Sequence, residues 1–181
     1  MYVTYKPYLY GGKTKMINKF EDKYSFLSNF YPCKVFVFGY EFKSSEAAYQ
    51  SQKDPSAVTK FVKLTAREAK QLGKKVNIRS DWNDMKDSVM RTVIEAKFNQ
   101  NANLTQKLLE TGDEELIEGN DWGDRYWGKV LNTDTNEWEG ENNLGKTLMY
   151  MREDLKKTFV PKKIVSPFKK VGVGSVKDVA I

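Results

Sequence analysis

Four short blocks of the chain together hold aromatic rings, carboxylates, amides and one amine. They are Phe26-Leu27-Ser28-Asn29-Phe30-Tyr31-Pro32, Ser44-Ser45-Glu46-Ala47-Ala48-Tyr49-Gln50-Ser51-Gln52-Lys53, Asp124-Arg125-Tyr126-Trp127-Gly128 and Gly140-Glu141-Asn142-Asn143-Leu144-Gly145. Such a mixture suits a pocket that stacks a flat base and holds a sugar by its hydroxyls. On a helix starting near Ser45, the side chains of Glu46, Gln50 and Lys53 fall at i, i+4 and i+7 and leave from one face. The same stripe also fits an ordinary exposed helix, with Glu46 favouring its N-terminus and Lys53 its C-terminus. As chemistry, it offers a carboxylate and an ammonium to one sugar. Breaking a bond from ribose C1 to a base nitrogen builds positive charge on the sugar, which a carboxylate stabilises while an acid protonates the departing base. Glu46 or Asp124 can serve either purpose, and a lysine of depressed pKa, here Lys53, can instead attack the anomeric carbon and form a Schiff base. Tyr126 and Trp127 beside Asp124 would place rings and a carboxylate in one loop, or simply anchor a strand. Asn29 and Asn142 stand in turn-forming contexts, where they can equally bond their own backbone.

What the chain lacks narrows the chemistry. It has no histidine, so acid and base work falls to Asp, Glu, Lys, Tyr or Cys, and a zinc site is not expected. The single cysteine, Cys33, excludes an internal disulfide and reads as a small packing residue. No apolar run approaches the roughly 20 residues of a membrane span, and the first residues carry no apolar signal core, so a cytoplasmic protein is expected. Of the net charge of +6, residues 158–181 hold most, with five lysines against Asp178. This tail reads either as a solvated extension or as a phosphate-tracking segment for nucleic acid.

The elements that would carry these groups are legible in outline. One domain of 181 residues is expected, with an N-terminal arm over 1–14, a domain over 15–157 and a basic tail over 158–181. Met16 to Phe20, Val35 to Phe42 with a bend at Gly39-Tyr40, Leu116 to Glu118 and Tyr126 to Leu131 have strand character. Ser44 or Ser45 can cap a helix running to about Lys53, Pro55 can open a second, and Thr65 can cap a third ending near Gly73. The clearest helix covers 81–99, capped by Ser80 or Asp81, with Trp82, Met85, Val89, Val93 and Ala96 on one stripe and Met90, Ile94 and Phe98 on another. A short helix over Leu104 to Leu109 ends at Thr111-Gly112, and a last one runs from about Asn143 to Lys157. Gly140 to Thr147 formally matches a phosphate loop, but the segment before it, 132–139, is polar and turn-like, so no such loop is expected.

In order along the chain, several blocks resemble the NADAR, or YbiA-like, family. They are Phe26 to Phe30, Ser45-Glu46 with Tyr49-Gln50 and Lys53, Ala69 with Gly73, Trp82 with Met90 and Lys97-Phe98, Leu116 with Glu118, Tyr126-Trp127-Gly128, and Gly140 with Asn142, Leu144-Gly145, Leu148-Met149 and Arg152. The resemblance implies a compact, predominantly α-helical fold (α+β with a few short strands) and a metal-independent N-glycosidase needing no cofactor. It implies substrates in which ribose is bonded to a base-type nitrogen, either ADP-ribose on guanine in nucleic acid or phosphorylated riboflavin intermediates. It implies Glu46, Lys53 and Asp124 as catalytic residues, with Ser28, Asn29, Phe30, Gln50, Trp82, Tyr126, Trp127, Gly128 and Asn142 around the substrate. Where the family often has arginine after the glycine matching Gly73, this chain has Lys74, which keeps a charge for phosphate but loses the bidentate fork.

Overall fold

The computed structural model describes residues 15–158. The N-terminal arm and all of the basic tail beyond Thr158 therefore lie outside the described residues. Five α-helices surround three two-stranded sheets: β1 (Met16–Ile17), β2 (Pro32–Val37), β3 (Tyr40–Ser44), α1 (Ser45–Ser51), α2 (Ala66–Leu72), α3 (Trp82–Gln100), α4 (Ala102–Glu110), β4 (Glu115–Leu116), β5 (Val130–Asn132), β6 (Glu137–Glu139) and α5 (Asn143–Thr158). The fold is α+β. Among the described residues, no helix is long and apolar enough to cross a membrane.

The β2–β3 hairpin turns through Phe38 and Gly39, both at positive φ (55° and 82°). Two successive positive φ values match the twist of the flanking strands, and glycine adopts the second at no steric cost. The hairpin ends at Ser44, whose Oγ accepts the Ala47 N–H at 3.1 Å and so starts α1 directly from the strand. Thr65 and Glu68 cap α2 reciprocally. Helix α3 buries Val89, Met90, Val93, Ile94 and Phe98 in a core that also holds Phe42, Phe61, Leu104, Leu108, Leu116 and Leu148.

Several boundaries differ from expectation. The strand expected over Met16 to Phe20 is confined to Met16–Ile17, which pairs in parallel with Glu115–Leu116 rather than with a sequence neighbour. Residues 22–27 form a 3-10 turn that the sequence pattern does not announce. Asp81 makes no cap bond to α3, because its carboxylate is held by the Arg79 guanidinium at 2.5 and 2.7 Å. Strand β5 begins only at Val130, so Tyr126 and Trp127 lie in a loop. Residues 132–139 close a β5–β6 hairpin; its antiparallel pairing puts no buried parallel strand ahead of Gly140, as expected for a segment that is not a phosphate loop. Helix α1 stops at Ser51, leaving Lys53 in the turn after it.

Candidate functional site

Glu46 enters the site from the first turn of α1. Its N–H donates to the Asn29 carbonyl at 2.9 Å, which ties the helix start to the Ser28-Asn29-Phe30 block. Its Oε1 accepts from Gln50 Nε2 at 2.9 Å, an i, i+4 contact of the kind the spacing predicts. The side chain is buried, and burial pushes its pKa up; the Gln50 hydrogen bond and the charges of Lys70 and Lys53 pull it back. Lys53 is fixed by its main chain, with its carbonyl accepting the Arg79 N–H at 2.8 Å. Its Nζ lies 5.9 Å from the Trp82 ring centroid. Burial lowers its pKa, Glu46 raises it, and Lys70 and Lys74 lower it further. The acid and the amine that the stripe predicted thus sit within electrostatic reach of one another, even though Lys53 is beyond the helix.

An aromatic wall stands over them. Tyr49, buried on α1, meets Trp82 at 5.1 Å and Trp127 edge-on at 5.6 Å, and Trp127 meets Tyr126 at 5.1 Å. The loop carrying Tyr126 and Trp127 is built by Asp124, whose Oδ1 accepts both of their backbone N–H groups at 3.0 and 2.9 Å. Asn120 braces the same loop by bonding the Asp124 carbonyl and N–H. Tyr126 is pinned to α3 through Asp87, at 2.7 and 2.9 Å, with Lys86 over its ring.

Other expected site residues make main-chain contacts or lie at the surface. Asn142 is buried, and its amide bridges the Leu116 carbonyl (2.8 Å) and the Glu118 N–H (3.1 Å), so it shapes the chain around Glu118. Gly128 is also buried; a Cβ there would lie 2.1 Å from the Glu118 carbonyl, so glycine is needed for the Trp127 loop to pass this close. The Ser28 hydroxyl accepts the Phe30 N–H, and its carbonyl accepts from Lys97. Phe30 is exposed, Lys74 is exposed near Lys53, and neither has a direct bond to Glu46.

Four buried polar atoms at this site have no hydrogen-bond partner among the described residues: Asn29 Oδ1, Ser45 Oγ, Gln50 Oε1 and Glu118 Oε2. Buried polar atoms are almost always paired, so these oxygens have acceptor capacity left for a donor from outside the chain. Sugar hydroxyls and a base N–H are such donors.

Four charged or aromatic groups of this site were not among the residues singled out for it. Glu118 follows β4, with burial, Asp124 and Glu46 raising its pKa and Lys70 and Lys97 lowering it, to about 7 overall. Lys97 is fully buried, donates to the Ser28 carbonyl at 2.8 Å, and is pushed down by burial to about 8. It lies four residues past Val93 on the apolar stripe of α3, and a lysine there was the signal. Lys70 lies between the exposed rings of Phe30 and Trp122, at 5.3 and 5.7 Å. Nothing in the spacing of Lys70 or Trp122 marks them. Among the described residues no group of three or more His, Cys, Asp or Glu is placed to hold a metal.

Residues 16–156 match the model of the NADAR domain family. A riboflavin biosynthesis protein of Vibrio vulnificus is 39% identical over 140 residues, which is 75% of this chain but 36% of that protein, so the chain spans about a third of that relative. An N-glycosidase of Nostoc punctiforme is 34% identical over 74% of this chain and 86% of its own. N-glycosidase YbiA of Escherichia coli is 33% identical over 74% of this chain and 83% of its own length. The solution structure of Escherichia coli YbiA superposes with a TM-score of 0.69 at 30% identity, covering 84% of this chain and 91% of that one. With the family model, the sequence relatives and the solved fold in agreement over the segment that carries Glu46, Lys53 and Asp124, the chain belongs to the NADAR family.

Proposed function

We propose that the protein is an N-glycosidase that hydrolyses the bond between a ribose and a base-type nitrogen. The observation that carries this reading is the buried Glu46 carboxyl within electrostatic reach of the Lys53 amine, with Tyr49, Trp82 and Trp127 packed on one another beside them and buried, unpartnered oxygens on Asn29, Ser45 and Gln50 of the first two sequence blocks. Glu46 stabilises the oxocarbenium-like charge that develops as the bond breaks. Lys53 contacts the sugar or attacks C1 as a nucleophile, since burial shifts it toward the neutral amine. Trp127 and Trp82 wall the base, and Asp124 holds Trp127 in place. The reaction uses side chains alone, with no metal or cofactor.

The favoured substrate is ADP-ribosylated guanine in nucleic acid, met in the cytoplasm, with the lysine-rich tail tracking phosphates. A second reading, hydrolysis of phosphorylated riboflavin intermediates, is supported by the name of the Vibrio vulnificus relative. The test is incubation with an ADP-ribosylated guanine oligonucleotide and, separately, with a ribosylamino-pyrimidine phosphate, the products being identified by mass spectrometry. Release of unmodified guanine in the oligonucleotide supports the first substrate, and release of the pyrimidine amine alone supports the second. Binding of ADP-ribose without turnover, unchanged in Glu46→Gln, would leave a non-catalytic reader instead. Deleting residues 158–181 should weaken turnover of the oligonucleotide more than that of the small substrate; equal losses would remove the tail from the account.

A further inference from the structure

Glu118 has no part in the mechanism above, yet it is built into the same site. Its main chain is held on two sides, with the N–H on Asn142 Oδ1 at 3.1 Å and the carbonyl accepting the Lys129 N–H at 2.9 Å. Its Oε2 is buried without a hydrogen-bond partner among the described residues. Charged groups from four separate segments act on it: Glu46 of α1, Lys70 of α2, Lys97 of α3 and Asp124 of the Trp127 loop. Asp124, the acid expected from the sequence, has Oδ1 committed to two backbone N–H groups. Burial raises the Glu46 pKa as well, but its Oε1 is taken by Gln50, and Lys70 and Lys53 oppose the shift.

Resting on the N-glycosidase reading, we propose that Glu118 is the general acid that gives its Oε2 proton to the departing base nitrogen. The C1–N bond breaks with its electron pair passing to the nitrogen, which takes that proton. Water adds its oxygen to C1, directly or after Lys53 has bonded there, and the proton it gives up restores Glu118 to its acid form. The net change is N-glycoside plus water to ribose plus free base. Burial first, then like-charge repulsion from Asp124 and Glu46, against Lys70 and Lys97, brings Glu118 to about 7, so that a share of it carries the proton near neutrality, as an acid working near pH 7 requires. Asp124 is thereby a positioning residue, acting through Glu118 and through Trp127.

The test is the pH dependence of kcat for wild type and Glu118→Gln on whichever of the two substrates above the wild type cleaves. An acid works only while protonated, so wild-type kcat should fall as pH rises through about 7. Glu118→Gln should be slower by about 10²–10⁴-fold and lose that basic limb. A wild-type rate, or a slower enzyme with the limb intact, would overturn the proposal. If Glu118→Gln melts without folding, Glu118→Asp takes its place: a limb displaced in pH supports the assignment, and one at the wild-type position overturns it. Wild type that cleaves neither substrate would instead sink the N-glycosidase reading, an outcome seen before any variant is made.

Discussion

Replacing Asn142 should damage the protein twice, once in stability and once at Glu118. The amide stands at φ 57°, buried, and joins the Leu116 carbonyl to the Glu118 N–H. Asn142→Ala leaves both groups without their partner, at about 1–3 kcal/mol each. Alanine at a left-handed φ adds about 1 kcal/mol that asparagine tolerates better. The sum, about 3–7 kcal/mol, is a large part of the 5–15 kcal/mol typical of a folded domain. Asn142→Gly loses the same bonds without the backbone strain, so it should be about 1 kcal/mol less damaged than the alanine variant. Urea unfolding, read as a midpoint shift at constant m, measures both. A loss below about 1 kcal/mol for Asn142→Ala, or a glycine variant less stable than the alanine one, would refute the bridge as a stabilising element. The neighbouring Gly145 offers a control: a Cβ there would lie 2.2 Å from the Leu116 carbonyl and 2.5 Å from the Asn142 amide, so Gly145→Ala should disturb the same bridge from the other side.

Gly73→Ala would place a Cβ 2.0 Å from Gln50 Oε1, a movable side-chain end, so Tm should fall by only a few degrees while Glu46 loses its Gln50 partner and kcat drops by about 10–100-fold; unchanged kcat in thermal and steady-state assays would contradict this. Lys97 titrates at about 8 when folded against 10.5 ordinarily, so the unfolded chain binds more protons between those values and stability should rise with pH across that window. Lys97→Met should flatten that rise in urea melts, and an unaltered slope would show that another group causes it. Borohydride in the presence of substrate should trap an adduct of the chain's mass plus the substrate's sugar portion, ADP-ribose or ribose phosphate, absent in Lys53→Ala; turnover without any trapped adduct would exclude the Schiff-base route. Because the Glu46 charge raises the Lys53 pKa, Glu46→Gln should lower the pH at which an acylating reagent labels Lys53, and a midpoint moved upward would reverse that coupling.

The parts of this site legible in the sequence are those set by local rules. Ser44 caps α1, Thr65 and Glu68 form a capping box on α2, and Glu46 and Gln50 meet because four helical residues bring side chains together. What could not be read depends on distant chain segments. Strand character over Met16 to Phe20 is legible, but the two-residue extent of β1 and its parallel pairing with Glu115–Leu116 depend on a distant segment that no local propensity identifies. Asn142 reads as a pocket residue by its place in a motif, and its amide also reaches Leu116 at the end of β4 and Glu118 beyond it, 26 and 24 residues earlier. The same holds for charge. Glu118 stands in a block that carries the family resemblance, but its raised pKa is not legible there; it comes from burial, Asp124 and Glu46, which act together only on folding. Burial acts in opposite senses on the two kinds of group here, raising Glu46 and Glu118 and lowering Lys53 and Lys97. Desolvation thus brings acids and amines with very different ordinary pKa values closer to neutrality, giving a chain without histidine groups that can exchange protons where a histidine usually would.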